Sequence, residues 1–498
     1  MSIIELIRQG ANVLFSPEPF ILLLAGTCVG LIFGSLPGIS SSTASALMLP
    51  LTIGMSTAGA IVFICGIYCA AQYGGGIPSI LFGTPGTTGA IATVFDGYPM
   101  TKKGEADRAL GLALFSSSIG GIIASILAIF LVRPIAAIAL DFGPAEMALL
   151  AILGLTIIVS IVGKDIKKGF IAASVGLLVS TMAADPTLGI ARLNFGFFEI
   201  YDSIPIAPII MGLFAFSSIL ELVGIEKVSE VGFKVVSKIM DGVIEAARKP
   251  VVYTRSSLIG LFVGMIPGAG IDVGSFLSYS QAKNFSKSPE TFGKGNPEGI
   301  MAAEAANNGV AAGALVPAMA LGVPGGTTTA VMLTVLTLHG VMIGPQVIRN
   351  FPGETYAVLL GALVCSILIF PMGFLYNKIA VKILNVKTAY LIPAIFSLCI
   401  AGSFALRRFI FDNYLVFIAG ILGIIMRKGD YPLAPFLLAF ILGPLMEQSF
   451  IRAILISRGD LGIFFRSRIC IIMWIIILAT LLLPVVSELI HKLQKPVR

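Results

Sequence analysis

The sequence predicts an all-α polytopic membrane protein of two inverted-topology repeats, with broken helices and re-entrant hairpins and about 10–14 membrane segments. Three observations carry this. The 498-residue chain is 57% hydrophobic and only 12% charged, with mean hydropathy +0.98. A soluble domain is about 45–50% apolar and about 25% charged, so too few charges remain here to coat a water-facing surface. The apolar runs are continuous, where an outer-membrane barrel alternates with period two. Two Gly/Pro motifs also recur in the same order in the two halves. A soluble enzyme, a disordered chain and a nucleic-acid binder are excluded.

A hydrocarbon core of about 30 Å takes roughly 20 residues per helix. Residues 1–19 form an N-terminal segment carrying Glu5, Arg8 and Glu18, with no cleavable signal peptide expected. A first repeat, 20–223, holds predicted spans near 20–36, 55–73, 109–133, 146–162, 169–184 and 206–223. Residues 224–253 form a charged linker in which Val228, Val231, Val235 and Ile239 recur at three- and four-residue spacing. That spacing predicts an amphipathic helix on the cytoplasmic membrane surface. A second repeat, 254–450, holds spans near 254–266, 305–321, 329–343, 356–376, 389–406, 413–426 and 433–450. Residues 451–498 supply a C-terminal loop and a last helix.

Basic residues orient the spans. Lys102, Lys103 and Arg108 mark one cytoplasmic loop, and Lys164, Lys167 and Lys168 another. The turn Asp141-Phe142-Gly143-Pro144 between them has no basic residue and is expected outside, as is the 185–203 loop. The six cysteines lie in or beside apolar runs, and the only histidines are His339 and His491. They read as small core residues rather than metal ligands.

Gly30-Leu31-Ile32-Phe33-Gly34-Ser35-Leu36-Pro37-Gly38 matches Gly260-Leu261-Phe262-Val263-Gly264-Met265-Ile266-Pro267-Gly268 at an offset of 230. Gly74, Pro78, Gly83, Pro85 and Gly86 fall on Gly313, Pro317, Gly322, Pro324 and Gly325 at an offset of 239. Two motifs in one order at nearly one offset indicate duplication. The lysine pattern has the repeats entering from opposite faces, the usual build of secondary transporters.

Pro-Gly inside an apolar run breaks the helical hydrogen-bond ladder, and such breaks persist at membrane depth only inside protein or beside a water-filled cavity. Here they come four times: Pro37-Gly38, Pro85-Gly86, Pro267-Gly268 and Pro324-Gly325. Polar residues surround each break: Ser40, Ser41, Ser42 and Thr43 at the first, Thr84, Thr87 and Thr88 at the second. Asp272 and Ser275 follow the third, and Thr327, Thr328 and Thr329 the fourth. Helices starting there would aim free N–H groups at the gap between repeats, a carboxylate-binding device without arginine. Asn307 and Asn308, rare in a small-residue helix, join the candidate substrate site. Asp272 and Ser275 are the candidate coupling-ion residues, because charge at membrane depth is costly and usually functional. Glu304 reads either as a helix N-terminal acid at the interface or as a further acid at depth. Asp96 reads as a turn or cap residue, with His339 in a loosely equivalent place. No H-E-x-x-H, G-x-S-x-G or phosphate-cradling motif occurs, so no enzyme and no ATP drive are expected. The one cofactor entertained is Na+ as coupling ion.

The chain resembles the large membrane subunit of the tripartite tricarboxylate transporters, the TctA family. The resemblance rests on 34–52 (GSLPGISSSTASALMLPLT), on 73–114 with its DGYPM segment, and on 264–333 with EAANN. It covers roughly residues 15–450. It implies a multi-pass bacterial inner-membrane importer of organic anions, coupled to sodium or protons, with a small membrane subunit and a periplasmic solute-binding protein as partners. The chain departs from the family pattern at Gly76, at Gly83-Thr84-Pro85 and at Ile271-Asp272. These departures leave a tricarboxylate, a smaller carboxylate and an amino acid all open as substrate. A stand-alone symporter and a membrane-embedded enzyme or scaffold subunit are the alternatives.

Overall fold

The computed structural model describes every residue except 1, 37, 163–164, 185–190, 202, 223–238, 269, 342, 385–387 and 495–498. Of the described residues 83% are helical. Its helices begin with α1 (Ile3–Leu14), α2 (Pro17–Ser35), α3 (Ser41–Met48), α4 (Thr57–Phe82) and α5 (Ile91–Lys102). Next come α6 (Ala106–Ala139), α7 (Pro144–Val162), α8 (Ile166–Ser180), α9 (Ile206–Ile210) and α10 (Ser217–Leu222), the last two joined by a π-turn. The middle of the chain forms α11 (Ile239–Ala247), α12 (Pro250–Met265), α13 (Gly270–Phe285), α14 (Pro297–Leu321) and α15 (Thr327–Leu338). The rest forms α16 (Val347–Asn350), α17 (Pro352–Leu384), α18 (Thr388–Arg407), α19 (Ile410–Lys428), α20 (Leu433–Ile456), α21 (Ile463–Arg466) and α22 (Arg468–Gln494). Each predicted span overlaps helix, although 206–223 is divided between α9, the π-helical stretch and α10, and the spans near 169–184 and 329–343 run past the ends of α8 and α15. Among the described residues six helices (α2, α4, α6, α17, α19 and α20) are long and apolar enough to cross a membrane.

Local chemistry sets the ends. Ser56 caps α4 by accepting the Gly59 N–H at 3.1 Å, and Asn296 caps α14 by accepting that of Glu298 at 2.8 Å. Proline occupies the first position of α2, α7, α12 and α14, where its missing N–H costs nothing. Both α4 and α14 end on a left-handed glycine: Gly83 at φ 71°, ψ 14° and Gly322 at φ 71°, ψ 18°.

Two compact units partition the chain. The larger comprises Met1–Ala136, Ala207–Ile266 and Gly270–Ile424, and the smaller Ala137–Ile206, Pro267–Ala269 and Ile425–Arg498. In the smaller unit α20 packs on α7 and α8, and α22 on α7. There Arg192 forks onto Glu447 at 2.5 and 3.0 Å, beside a two-residue antiparallel ladder pairing Ala183 with Arg192.

The larger unit holds the helices of both repeats, while Pro267 and Gly268 of the second motif fall in the smaller unit. The series α2–α3–α4–α5 and α12–α13–α14–α15 correspond element by element. Each first helix ends on the same backbone, Leu36 at φ −82°, ψ 116° and Ile266 at φ −79°, ψ 114°. Motif glycines seat α2 on α4 and α12 on α14. A Cβ on Gly30 or Gly34 would stand 2.5 Å from the carbonyl oxygen of Ile67 or Ala71. One on Gly260 or Gly264 would press on that of Ala306 or Val310. Close backbone approach through small residues is how helices associate where lipid removes the hydrophobic drive.

Residues 224–238, the first half of the linker predicted to lie on the membrane surface, are outside the described residues. Its described end, α11, buries Ile239, Gly242, Val243 and Ala246. It packs on protein: Gly242 abuts the Arg108 carbonyl, and the Arg108 guanidinium forks onto Glu245 at 2.7 and 2.9 Å.

Candidate functional site

Within the larger unit the repeats touch reciprocally. Helix α3 of the first meets α15 of the second, and α13 of the second meets the 3-10 turn that leads into α5 of the first. At the α3–α15 contact the Ser41 and Thr328 hydroxyls lie 3.0 Å apart. The Gln72 amide, midway along α4, donates to Ser41 at 3.2 Å. Asn307, on α14, donates to the Gln72 backbone carbonyl at 3.1 Å. All four side chains are buried. Around them Gln72 Oε1, Asn307 Oδ1, Thr87 Oγ1 and Ser45 Oγ are buried without a hydrogen-bond partner. Folded proteins rarely leave such atoms unpaired, so the cluster has hydrogen-bonding capacity to spare.

Two of the breaks, at Pro85-Gly86 and Pro324-Gly325, pack in matched fashion. The Gly86 N–H donates to the Gly75 carbonyl at 3.1 Å, and a Cβ on Gly86 would clash with Gly75. Gly325 abuts Ala314, the equivalent residue of α14. Pro85 is half-buried and Pro324 buried. Gly38 and Gly268 are both left-handed, at φ 83° and 77°. Pro37 lies outside the described residues, and Pro267 and Gly268 belong to the smaller unit.

Not every expected residue reaches the cluster. Ser40 caps α3, accepting the Thr43 N–H at 3.2 Å, and its hydroxyl meets those of Ser42 at 2.8 Å and Thr43 at 3.0 Å. Thr329 exchanges bonds with the Gly326 N–H and carbonyl at 2.9 and 2.8 Å. Thr84 and Thr88 are exposed, and Thr327 is half-buried. Asn308 donates to the Glu304 carbonyl of its own helix at 3.4 Å. Gln72 was not among the expected residues, although a lone amide amid the apolar run 57–82 is itself a pointer to function. A groove of about 700 Å³ between Pro250 and Leu277 is lined mainly by apolar side chains and offers no such constellation.

The tripartite tricarboxylate transporter TctA family model matches residues 20–438. The chain belongs to the TctA family. A protein of Agrobacterium vitis described as an uncharacterized 52.8 kDa protein in the TAR-I ttuC' 3' region is 32% identical over 99% of both chains. A second from that organism, described as an uncharacterized protein in the TAR-II ttuC' 3' region, is 36% identical over 42% of this chain and 87% of its own. No solved structure matches. The TctA family is that of the large subunit of a three-part transporter, which agrees with a multi-pass membrane protein.

Asp96 and Glu304, both fully buried in this TctA protein, have contrasting surroundings. Asp96, on α5, accepts the N–H groups of Gly293, Gly295 and Asn296 at 2.9, 2.8 and 2.7 Å on one oxygen. Its other oxygen accepts the Tyr279 hydroxyl at 2.8 Å. Burial, then the adjacent Asp96 charge, push the Tyr279 phenol above its ordinary pKa, so it stays a donor. Asp96 thus clamps the 286–296 loop of the second repeat onto the first. Asp96→Ala is expected to cost about 1–3 kcal/mol for each buried donor it orphans, read as a lowered unfolding temperature in detergent. Tyr279→Phe should cost less, and wild-type stability in Asp96→Ala would show that the clamp does not form.

Glu304 is not at a helix start: it is the eighth residue of α14. Its two oxygens accept the hydroxyls of Thr93 at 2.6 Å and Ser117 at 2.8 Å. Of the candidate coupling pair, Ser275 donates to the Ile271 carbonyl at 3.3 Å, while the Asp272 side chain lies outside the described residues. His339 ends α15 with its ring nitrogens facing the carbonyls of Val335 and Thr52 at 2.9 and 3.1 Å, a tie within the fold.

Proposed function

We propose that this chain is the large membrane subunit of a bacterial inner-membrane importer of a small organic carboxylate, driven by a Na+ or H+ gradient. Its partners are a small membrane subunit and a periplasmic solute-binding protein that delivers the anion. The observation that carries this reading is the buried cluster of Ser41, Gln72, Thr87, Asn307 and Thr328, with polar atoms unspent between two broken-helix repeats. A carboxylate brings acceptors only when ionised. It would take the hydroxyls of Ser41, Thr87 and Thr328 and an amide N–H of Gln72 or Asn307, each of which can turn toward it. The starts of α3 and α15 add positive dipole ends. No arginine is needed, so the anion is held weakly enough to leave on the far side. Asp272, one turn into α13, remains proposed as a coupling-ion residue, with Ser275 beside it.

The reciprocal contacts support a two-fold relation between the repeats, and the lysine pattern favours an axis in the membrane plane. Alternating access would then follow from one repeat rocking against the other. Single cysteines at Phe15→Cys and Arg248→Cys, in a background cleared of native cysteines, should react with impermeant reagents from opposite sides. Labelling from one side would remove the inversion.

The function is tested by uptake of labelled citrate, succinate and glutamate into cells expressing the chain with the neighbouring subunits. Accumulation of at least one, dependent on the binding protein, is expected. Uptake undiminished without the binding protein would favour a stand-alone symporter, and no uptake of any carboxylate would overturn the reading.

A further inference from the structure

We infer that Glu304 is the proton-carrying carboxyl of the transport cycle. The inference rests on the reading of this chain as an ion-coupled carboxylate transporter; it assigns the coupling proton to Glu304 and leaves Asp272 the part of a Na+ or substrate-cation residue.

Glu304 is 0% exposed, and a buried ionised carboxylate requires a compensating charge or a rich set of donors. Among the described residues no cation pairs with it; its only side-chain partners are the Thr93 and Ser117 hydroxyls. The groups on the surrounding helices are engaged elsewhere. On α4, Tyr73 donates to Asn377 of α17 at 2.9 Å. On α5, Asp96 is filled by its four donors. On α6, Arg108 holds Glu105 and Glu245. On α12, Arg255 lies over Phe285, and on α13, Tyr279 holds Asp96. On α17, Tyr376 pairs with Ser35 and Lys378 lies over Phe374. On α14 itself, Glu298 pairs with Lys249.

The two buried acids differ in what their donors can do. Three backbone N–H groups cannot reverse, so Asp96 accepts from them permanently. A hydroxyl is donor and acceptor and rotates to suit. When Glu304 is ionised, Thr93 and Ser117 both donate to it. When it is protonated, the new O–H donates to one of those oxygens, whose hydrogen turns away. The carboxyl itself therefore keeps a partner in both states, which three fixed N–H donors would not allow it.

Position supplies the coupling. Asn307 is three residues along α14, about 4.5 Å of axial rise, so the polar cluster lies one helical turn away. An ionised Glu304 would repel an anion there, and a proton removes that repulsion. The proton enters with the carboxylate and leaves to the cytoplasmic side after it. One proton carried per anion lets a pH difference of one unit support about tenfold accumulation.

The test reads protonation without needing the substrate. Infrared difference spectra of the purified full chain, between acidic and alkaline buffer, should show a carboxylic-acid carbonyl band lost on alkalinisation. It should be absent in Glu304→Gln at every pH, shifted in Thr93→Val, and unchanged in Asp272→Asn. If Glu304→Gln does not fold, isotope-labelled glutamate in the wild type assigns the band. A band that does not titrate, the lack of any Glu304 band, or a titrating band lost in Asp272→Asn overturns the inference. In the citrate, succinate and glutamate uptake assay, Glu304→Gln should exchange internal for external anion yet lose pH-driven accumulation. Wild-type accumulation and pH dependence in that variant would also overturn it. Absence of all uptake by the wild type would instead overturn the transport reading, leaving the spectra to decide Glu304.

Discussion

Gly34→Val and Gly264→Val should each abolish monodisperse protein on size exclusion, while Gly54→Ala should be tolerated. Gly34 faces the Ala71 carbonyl and Gly264 that of Val310, both backbone atoms of a fully packed helix. Backbone in a helix cannot step aside as a side-chain tip does. Overpacking a core costs about 1–3 kcal/mol, occasionally more, and here the obstruction forces whole helices apart. Separation strips contacts along the length of α2 and α4, or of α12 and α14, which in lipid no hydrophobic drive restores. The alanine variants should be present but less thermostable, since even a Cβ on Gly34 would stand 2.5 Å from the Ala71 carbonyl oxygen. Gly54 has open space around it. The matched sites make the test internal: equal damage at Gly34 and Gly264 would show both repeats depending on the same device. Normal yield and stability in both valine variants would show that the helices are not seated as described.

Asn307→Ala and Thr328→Ala should lower carboxylate uptake with normal membrane expression. A buried hydrogen bond to a charged partner contributes about 1.5–3 kcal/mol, or roughly 10–150-fold in affinity. The stability lost should be modest: Asn307→Ala gives up one bond to the Gln72 carbonyl, about 0.5–1.5 kcal/mol, and Thr328→Ala a contact with another hydroxyl. Gln72→Ala should likewise lower uptake, because it removes the amide N–H that donates to Ser41 at 3.2 Å. By contrast Ser40→Ala and Thr329→Ala remove caps and should reduce stability by about 0.5–2 kcal/mol before they touch affinity. Transport at wild-type rates and affinity in all three cluster variants would return those residues to packing. Loss of uptake confined to the cap variants would move the substrate site elsewhere.

The breaks were legible in the sequence because proline and glycine act through local backbone geometry, which needs no partner. Pro78 with Gly83 and Pro317 with Gly322 announce the ends of α4 and α14 by composition alone. The polar residues near those breaks were equally visible, yet their roles were not. Ser40 and Ser41 are neighbours of identical chemistry; one caps its own helix and the other faces Thr328, 287 positions away. Glu304 looked as apt for an interface as for the interior, because its position within α14 depends on where Asn296 caps that helix. Thr93 and Ser117 carried no signal, being ordinary hydroxyl residues until Glu304 is placed between them.

By itself, the sequence determined the class of molecule, the duplication, the places where helices break and the family. These are properties of composition, spacing and short-range backbone sterics, all read along one dimension. The tertiary structure alone decided which hydroxyls are spent on caps, which amide joins the cluster, and which acid is clamped and which left with reversible donors. Those outcomes turn on which side chains meet across hundreds of residues, where a hydrogen bond within 3 Å forms or fails according to how closely the glycine-seated helices approach.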